Sequence, residues 1–366
     1  MDSTQTGFAR RVALASAIVT AFVVATLTAW HLVDVWLLCF GGVLFAVALR
    51  GLGQAIAERA PLGADACTGI VCAGVFVLAL LGIVMLGPEF AQGLNGLRET
   101  LPEGVQGLQE LAGSVPWLEE LVAKAPEAVS GGDVGAGLAR RFGGFLSQAV
   151  GVVSSLVGAL VGAFVIIIVA VYASLWPKLY VDTFAAILPK ARRARLGTVL
   201  TDLATSLRWW LVGRLASMAV VGLLSGIGLA LLGVPSPITL GVLAALLSFV
   251  PNVGPILSLV PAMLAALTVG PTTALYTLGL YLAVQTVESY LVTPLIQQRA
   301  VTLPPAIVIV AQLAAGAAFG LLGLLFATPL AVVVKVLVQR LWIEGVLGEQ
   351  VESDAPSGDR VERDQG

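Results

Sequence analysis

Long apolar runs separated by short charged clusters set the pattern of this chain, and the longest, Leu215 to Val287, contains no Asp, Glu, Lys or Arg. An α-helix needs about 20 mostly apolar residues to cross a bilayer. On that measure the runs Val12–Trp30, Val35–Leu49, Cys67–Leu86, Ala149–Trp176, Leu215–Leu232 and Thr272–Leu291 predict spans, as do the two halves of Ala306–Leu341. The fold class is therefore an all-α polytopic membrane protein with about eight spans. Tryptophans at 30, 36, 176, 209 and 210 mark expected membrane interfaces.

The charge-free run has a break in its middle. Pro237–Phe249 and Ile256–Val269 flank the sequence Pro251-Asn252-Val253-Gly254-Pro255, and each arm is too short for a comfortable crossing. Two prolines and a glycine around an asparagine stop the helix between them. Freed backbone groups cost several kcal/mol each in hydrocarbon, so the expected solution is two half-helices meeting at a bend that protein or water satisfies. Paired, Pro/Gly-broken segments point to a transport site. A packing turn between ordinary helices is the structural alternative.

Charge then orients the chain. Arg10 and Arg11 precede the first run, which reads as an uncleaved signal anchor because no convincing small-x-small cleavage site follows. Arg50 and the basic loop from Lys178 to Arg208 favour the cytoplasm, which puts both termini there. The stretch 88–148 is acid-rich and expected outside. Its apolar positions Leu94, Leu97, Leu101, Val105 and Leu108 fall on one helical face, divided into short helices by Pro102, Pro116 and Pro126. Those helices suit a membrane surface or a neighbouring subunit. The expected organisation is 1–87 for the first three spans, 88–148 for the external insertion, 149–345 for the transport domain with broken hairpins, and 346–366 for a disordered cytoplasmic tail.

Composition narrows the functions. Of 366 residues 58% are hydrophobic and 11% charged, with no basic footprint for nucleic acid. The three cysteines, Cys39, Cys67 and Cys72, and the single His31 supply no disulfide framework, zinc site or Ser/His catalysis. No cofactor, metal or enzymatic role is expected. The phosphate-binding pattern GxxxxGK[ST] is missing, so transport is expected to run without ATP.

The expected substrate path consists of Pro251, Asn252, Gly254, Pro255, Gln285, Glu288, Gln298 and Gln312. Tyr281, Gln285 and Glu288 share a helical face, and an acid within a span is commonly functional. Counting from Thr272, Glu288 lies roughly 24 Å in, close to the inner boundary of the hydrocarbon. It is expected either to reach interfacial water or pair with Arg299, or to carry a proton or cation. Arg214, one turn past Trp210, is expected to snorkel. Gly158 and Gly162 stand at the spacing for close helix approach.

Four stretches, taken in order, resemble the autoinducer-2 exporter (AI-2E) family of bacterial multi-pass permeases: Leu231–Pro235, the bend at 251–255, Val287–Pro294, and Gly320–Leu330. The insertion after the third span is also similar to that family. The resemblance implies export of a small molecule, with autoinducer-2 the namesake substrate. It further implies placement in the bacterial cytoplasmic membrane and a homo-oligomer, for which a pentamer is one arrangement. Sodium or lithium exchange for protons, or an oligomeric channel or scaffold, are its alternatives. Two positions depart from the family pattern: Arg214 stands where many members have glutamine, and Pro304 where many have histidine.

Overall fold

The computed structural model describes residues 19–24, 26–28, 30, 32–114, 156–187, 189–292 and 303–348, with positions 16 and 294. Among these residues the secondary structure is helical, with no strand. Residues 16, 19–24, 26–28 and 30 of the first run are helical; its other positions, Arg299, and the tail from 349 lie outside the described residues.

Among the described residues nine helices follow: α1 (Val33–Ala57), α2 (Ala64–Ser114), α3 (Leu156–Leu175), α4 (Pro177–Ile187), α5 (Lys190–Leu231), α6 (Pro237–Leu247), α7 (Val253–Val269), α8 (Pro271–Val287) and α9 (Pro305–Leu337). The last two continue as π-helical turns, Glu288–Val292 and Val338–Leu347. Four helical stretches are long and apolar enough to cross a membrane, Val33–Ala57, Ala64–Met85, Arg195–Leu231 and Pro305–Gly345. A fifth is the pair Phe164–Leu175 and Pro177–Thr183, bent by 87° at Trp176. That is fewer than the eight spans expected, because the first run is only partly described, α8 is 17 residues long, and the two halves of 306–341 form the single stretch Pro305–Gly345 broken at Gly320.

The proline rule mispredicts α2. Its helix runs through Pro88 and Pro102 to Ser114 without dividing at either. An interior proline removes one hydrogen bond and costs about 3 kcal/mol, and the periodic apolar face on both sides outweighs it. At 1.5 Å per residue this helix is about 75 Å long, well beyond a hydrocarbon core of about 30 Å. Leu97 does not await a neighbour or the membrane surface: it is 2% exposed and packed among Leu229, Val234, Leu240 and Ala262. The insertion beyond Ser114, with Pro116 and Pro126, lies outside the described residues.

Small residues set the closest helix approaches. A Cβ on Gly241 of α6 would come within 2.7 Å of the Gly226 Cα and 2.9 Å of the Gly222 carbonyl oxygen of α5. Gly222 and Gly226 therefore perform the close packing expected of a GxxxG pair. Gly162 faces Leu38 of α1 at ordinary contact distance. A second core joins Leu37 and Leu44 of α1 to Leu207 and Leu211 of α5 and Phe326, Val332 and Val336 of α9.

Polar contacts fix the helix ends on one side of the bundle. Arg50 Nη1 pairs with Asp65 at 3.0 Å and donates to the Ser174 carbonyl at 2.8 Å, which brings the ends of α1 and α3 to the start of α2. Arg340 pairs with Asp202 at 2.7 Å and accepts from Arg195 Nη2 through its carbonyl at 2.6 Å. The C-terminal π-helical turn thus sits beside the basic start of α5.

Candidate functional site

The break between α6 and α7 is a sharp one. Asn252 has φ 64° and ψ −44°, and the Val253 N–H donates to the Pro251 carbonyl at 2.7 Å. This is a γ-turn with positive φ at its centre, a rare and strained conformation. Such strain costs on the order of 1–3 kcal/mol and persists where the surroundings over-determine it. Asn252 itself is exposed at the apex. Gly254 is buried, because a Cβ there would fall on the Leu247 carbonyl and within 2.7 Å of the Ser248 Cα. The Pro255 carbonyl accepts from Ser258 Oγ at 3.0 Å.

Two side chains from other elements satisfy the carbonyls that this bend frees. Gln312 of α9, 2% exposed, donates Nε2 to the Pro251 carbonyl at 3.0 Å. Arg214 of α5 donates Nε to the Phe249 carbonyl at 3.0 Å. The bend is level with the tryptophan pair of α5, since Trp210 and Phe249 meet edge to face at 5.9 Å.

Arg214 does not snorkel away but turns to Glu288, while Arg299, the expected partner of Glu288, lies outside the described residues. Arg214 Nη1 and Glu288 Oε1 form an ion pair at 3.3 Å, with side-chain exposures of 11% and 7%. Ser217, one turn along α5 from Arg214, gives its hydroxyl to the same carboxylate oxygen. Glu288 opens the π-helical turn that ends α8, and π-turns recur at functional sites. Arg214 and Glu288 are also the two residues that bracket the charge-free run from Leu215 to Val287. The longest uncharged stretch of the chain is closed by its own flanking charges. Isolated, either charge would be expensive at this burial; paired and hydrogen-bonded, they are tolerated.

The structure thus connects Pro251, Gln312 and, through Arg214, Glu288. Gln285 takes no part: it is half-buried and donates to Ser289 of the turn that follows its own helix, at 3.3 Å. Gln298 lies outside the described residues. Arg214 and Ser217 were not among the expected path residues, and their signal was positional, the last charge before the uncharged run and a hydroxyl three residues on.

A second break mirrors the first. Within α9, Gly320 has φ 63° and ψ −143°, and the chain folds so tightly that a Cβ on Gly323 would fall on the Ala315 carbonyl. An apolar groove of about 680 Å3 runs between its arms, lined by residues such as Ile307, Val310, Ala314, Leu330 and Val334. No polar side chain lines it.

A family model described as AI-2E family transporter matches residues 14–342. Among curated proteins, the chain is 29% identical over 161 residues to "Putative transport protein YrrI" of Bacillus subtilis (strain 168), covering 44% of this chain and 46% of that protein. It is 37% identical over 105 residues to "Putative transport protein MT0215" of Mycobacterium tuberculosis, 28% of this chain and 29% of that protein. It is 29% identical over 136 residues to "AI-2 transport protein TqsA" of Escherichia coli (strain K12), 37% of this chain and 40% of that protein. The matched region spans less than half the length of each of these relatives.

Proposed function

The chain belongs to the AI-2E transporter family, and from that premise we propose that it exports a small polar molecule across the bacterial cytoplasmic membrane, with autoinducer-2 the first candidate. The observation that carries this reading is the bend itself: a strained, broken hairpin inside an uncharged membrane stretch, with Asn252 presented at its apex and its carbonyls held by Gln312 and Arg214. A path past this apex offers a polar solute the Asn252 amide and the backbone around Pro251 and Pro255. Gln285 and Gln298 remain part of the proposed path. The name of the Escherichia coli relative supports autoinducer-2 as substrate.

Export runs without ATP in this reading, because the sequence carries no Walker-type phosphate loop. The driving force is an ion gradient or the gradient of the exported molecule. The lysine and arginine bias supports a cytoplasmic position for both termini and the start of α5, with 88–148 outside. The family resemblance supports a homo-oligomer. Pairing of Glu288 with Arg214 weighs against sodium or lithium exchange for protons, since a cation would have to displace a tethered guanidinium from the carboxylate.

Proteoliposomes loaded with autoinducer-2, with sodium and proton gradients imposed separately, test this. Efflux above protein-free vesicles is expected, and Asn252→Ala and Gly254→Leu are expected to reduce it at least tenfold with unchanged protein level and oligomer size. Full efflux in both variants would leave the bend a packing turn, and no efflux from the parent protein would remove autoinducer-2 as substrate.

A further inference from the structure

A strained turn that nothing held would relax, so the groups that hold this one carry information. Two do so from opposite sides. On one, Gln312 donates to the Pro251 carbonyl, which also accepts the Val253 N–H that closes the γ-turn. Both lone pairs of that oxygen are thereby used. On the other, Arg214 takes the Phe249 carbonyl with Nε and Glu288 with Nη1, while Ser217 holds the carboxylate. The planar fork of arginine spans two acceptors in fixed geometry, which a lysine ammonium on a flexible stem does not reproduce.

We propose that Arg214 and Gln312 are positioning residues that clamp the bend at Phe249 and Pro251 and fix the strained turn at Asn252, and that transport requires this clamp. The link to transport rests on the reading given under Proposed function; the clamp itself does not. Arg214 joins the bend to the π-helical end of α8, and Gln312 joins it to the first arm of the Gly320 hairpin. Four segments distant in the chain, α5, the bend, the end of α8 and α9, therefore meet through side-chain bonds at one point. Neither Arg214 nor Gln312 needs to touch the transported molecule to matter for it.

Hydrogen–deuterium exchange of the full chain in lipid nanodiscs reads the clamp directly. The amides of Val253 and Gly254, which donate to the Pro251 and Val250 carbonyls, report on the turn. Three variants release it without leaving a buried charge alone: Arg214→Lys, the double change Arg214→Gln with Glu288→Gln, and Gln312→Met, which keeps side-chain length and loses the donor. Exchange of the peptide spanning residues 249–258 should quicken at least tenfold in each, with α1 peptides unchanged. Autoinducer-2 efflux from proteoliposomes is measured on the same variants. Its maximal rate should fall at least fivefold while the half-saturating concentration changes less than twofold. Exchange within twofold of the parent in all three variants overturns the clamp, even if efflux falls. Faster exchange with undiminished efflux overturns the requirement for transport. Should the parent protein not move autoinducer-2, the substrate assignment fails and the exchange result still decides the clamp.

Discussion

Breaking the Arg214–Glu288 pair from one side should harm the protein more than neutralising it from both. In Arg214→Gln the Glu288 carboxylate, 7% exposed, is left without its cation, and in Glu288→Gln the guanidinium, 11% exposed, loses its anion. Removing one partner of a buried pair costs about 3–5 kcal/mol, so independent effects would sum to roughly 6–10 kcal/mol. The double variant leaves no net buried charge. It loses the 3.0 Å bond to the Phe249 carbonyl, a charge-assisted bond that contributes about 1.5–3 kcal/mol. Its expected cost is about 1–3 kcal/mol, which makes the coupling at least about 3 kcal/mol, well above what independent sites show. Reversible unfolding of the four proteins in mixed micelles with increasing SDS measures the cycle. Additivity to within about 0.5 kcal/mol, or a double variant less stable than both singles, would refute the buried pair.

Gly320→Ala isolates backbone conformation, because no atom lies within 4 Å of the added Cβ while φ is 63°; a loss of about 1–3 kcal/mol is expected, and no loss in the same unfolding assay would contradict the positive φ. Gly254→Ala tests the opposite case, a crowded glycine of ordinary φ, where the Leu247 carbonyl must give way; crowding of this kind costs about 1–3 kcal/mol, and tryptophan fluorescence from Trp210 beside Phe249 should shift with the displaced bend. Cysteines introduced at Gly107 and Ala194, in a background lacking Cys39, Cys67 and Cys72, should react with an impermeant maleimide from opposite faces of the membrane. Reaction of both from one face would overturn the assigned topology.

Local chemistry makes the bend readable in the sequence. Pro251, Gly254 and Pro255 interrupt helix by rules that act within a few residues, and the arms on either side formed as helices too short to cross. Gly320 was legible in the same way. The pairing of Glu288 with Arg214 was not, because which charges meet is decided by how α5 crosses the end of α8, 74 residues away in the chain. Pro102 misled for the converse reason: a local rule gave way to the packing of Leu97 against α5 and α7. The close-approach spacing was noted at Gly158 and Gly162, whereas the same spacing at Gly222 and Gly226 is the one that meets Gly241, a pairing nothing in the sequence specifies.

The bond between Gln312 and Pro251 makes the first arm of α9 a lever. Gln312 stands eight residues from the break at Gly320, roughly 12 Å at helical rise. A tilt of about 10° about that glycine swings the amide by about 2 Å, enough to take a 3.0 Å hydrogen bond out of range. The apex at Asn252 must then follow the arm or let go of it, so a small rotation in one hairpin is converted into a yes-or-no event in the other.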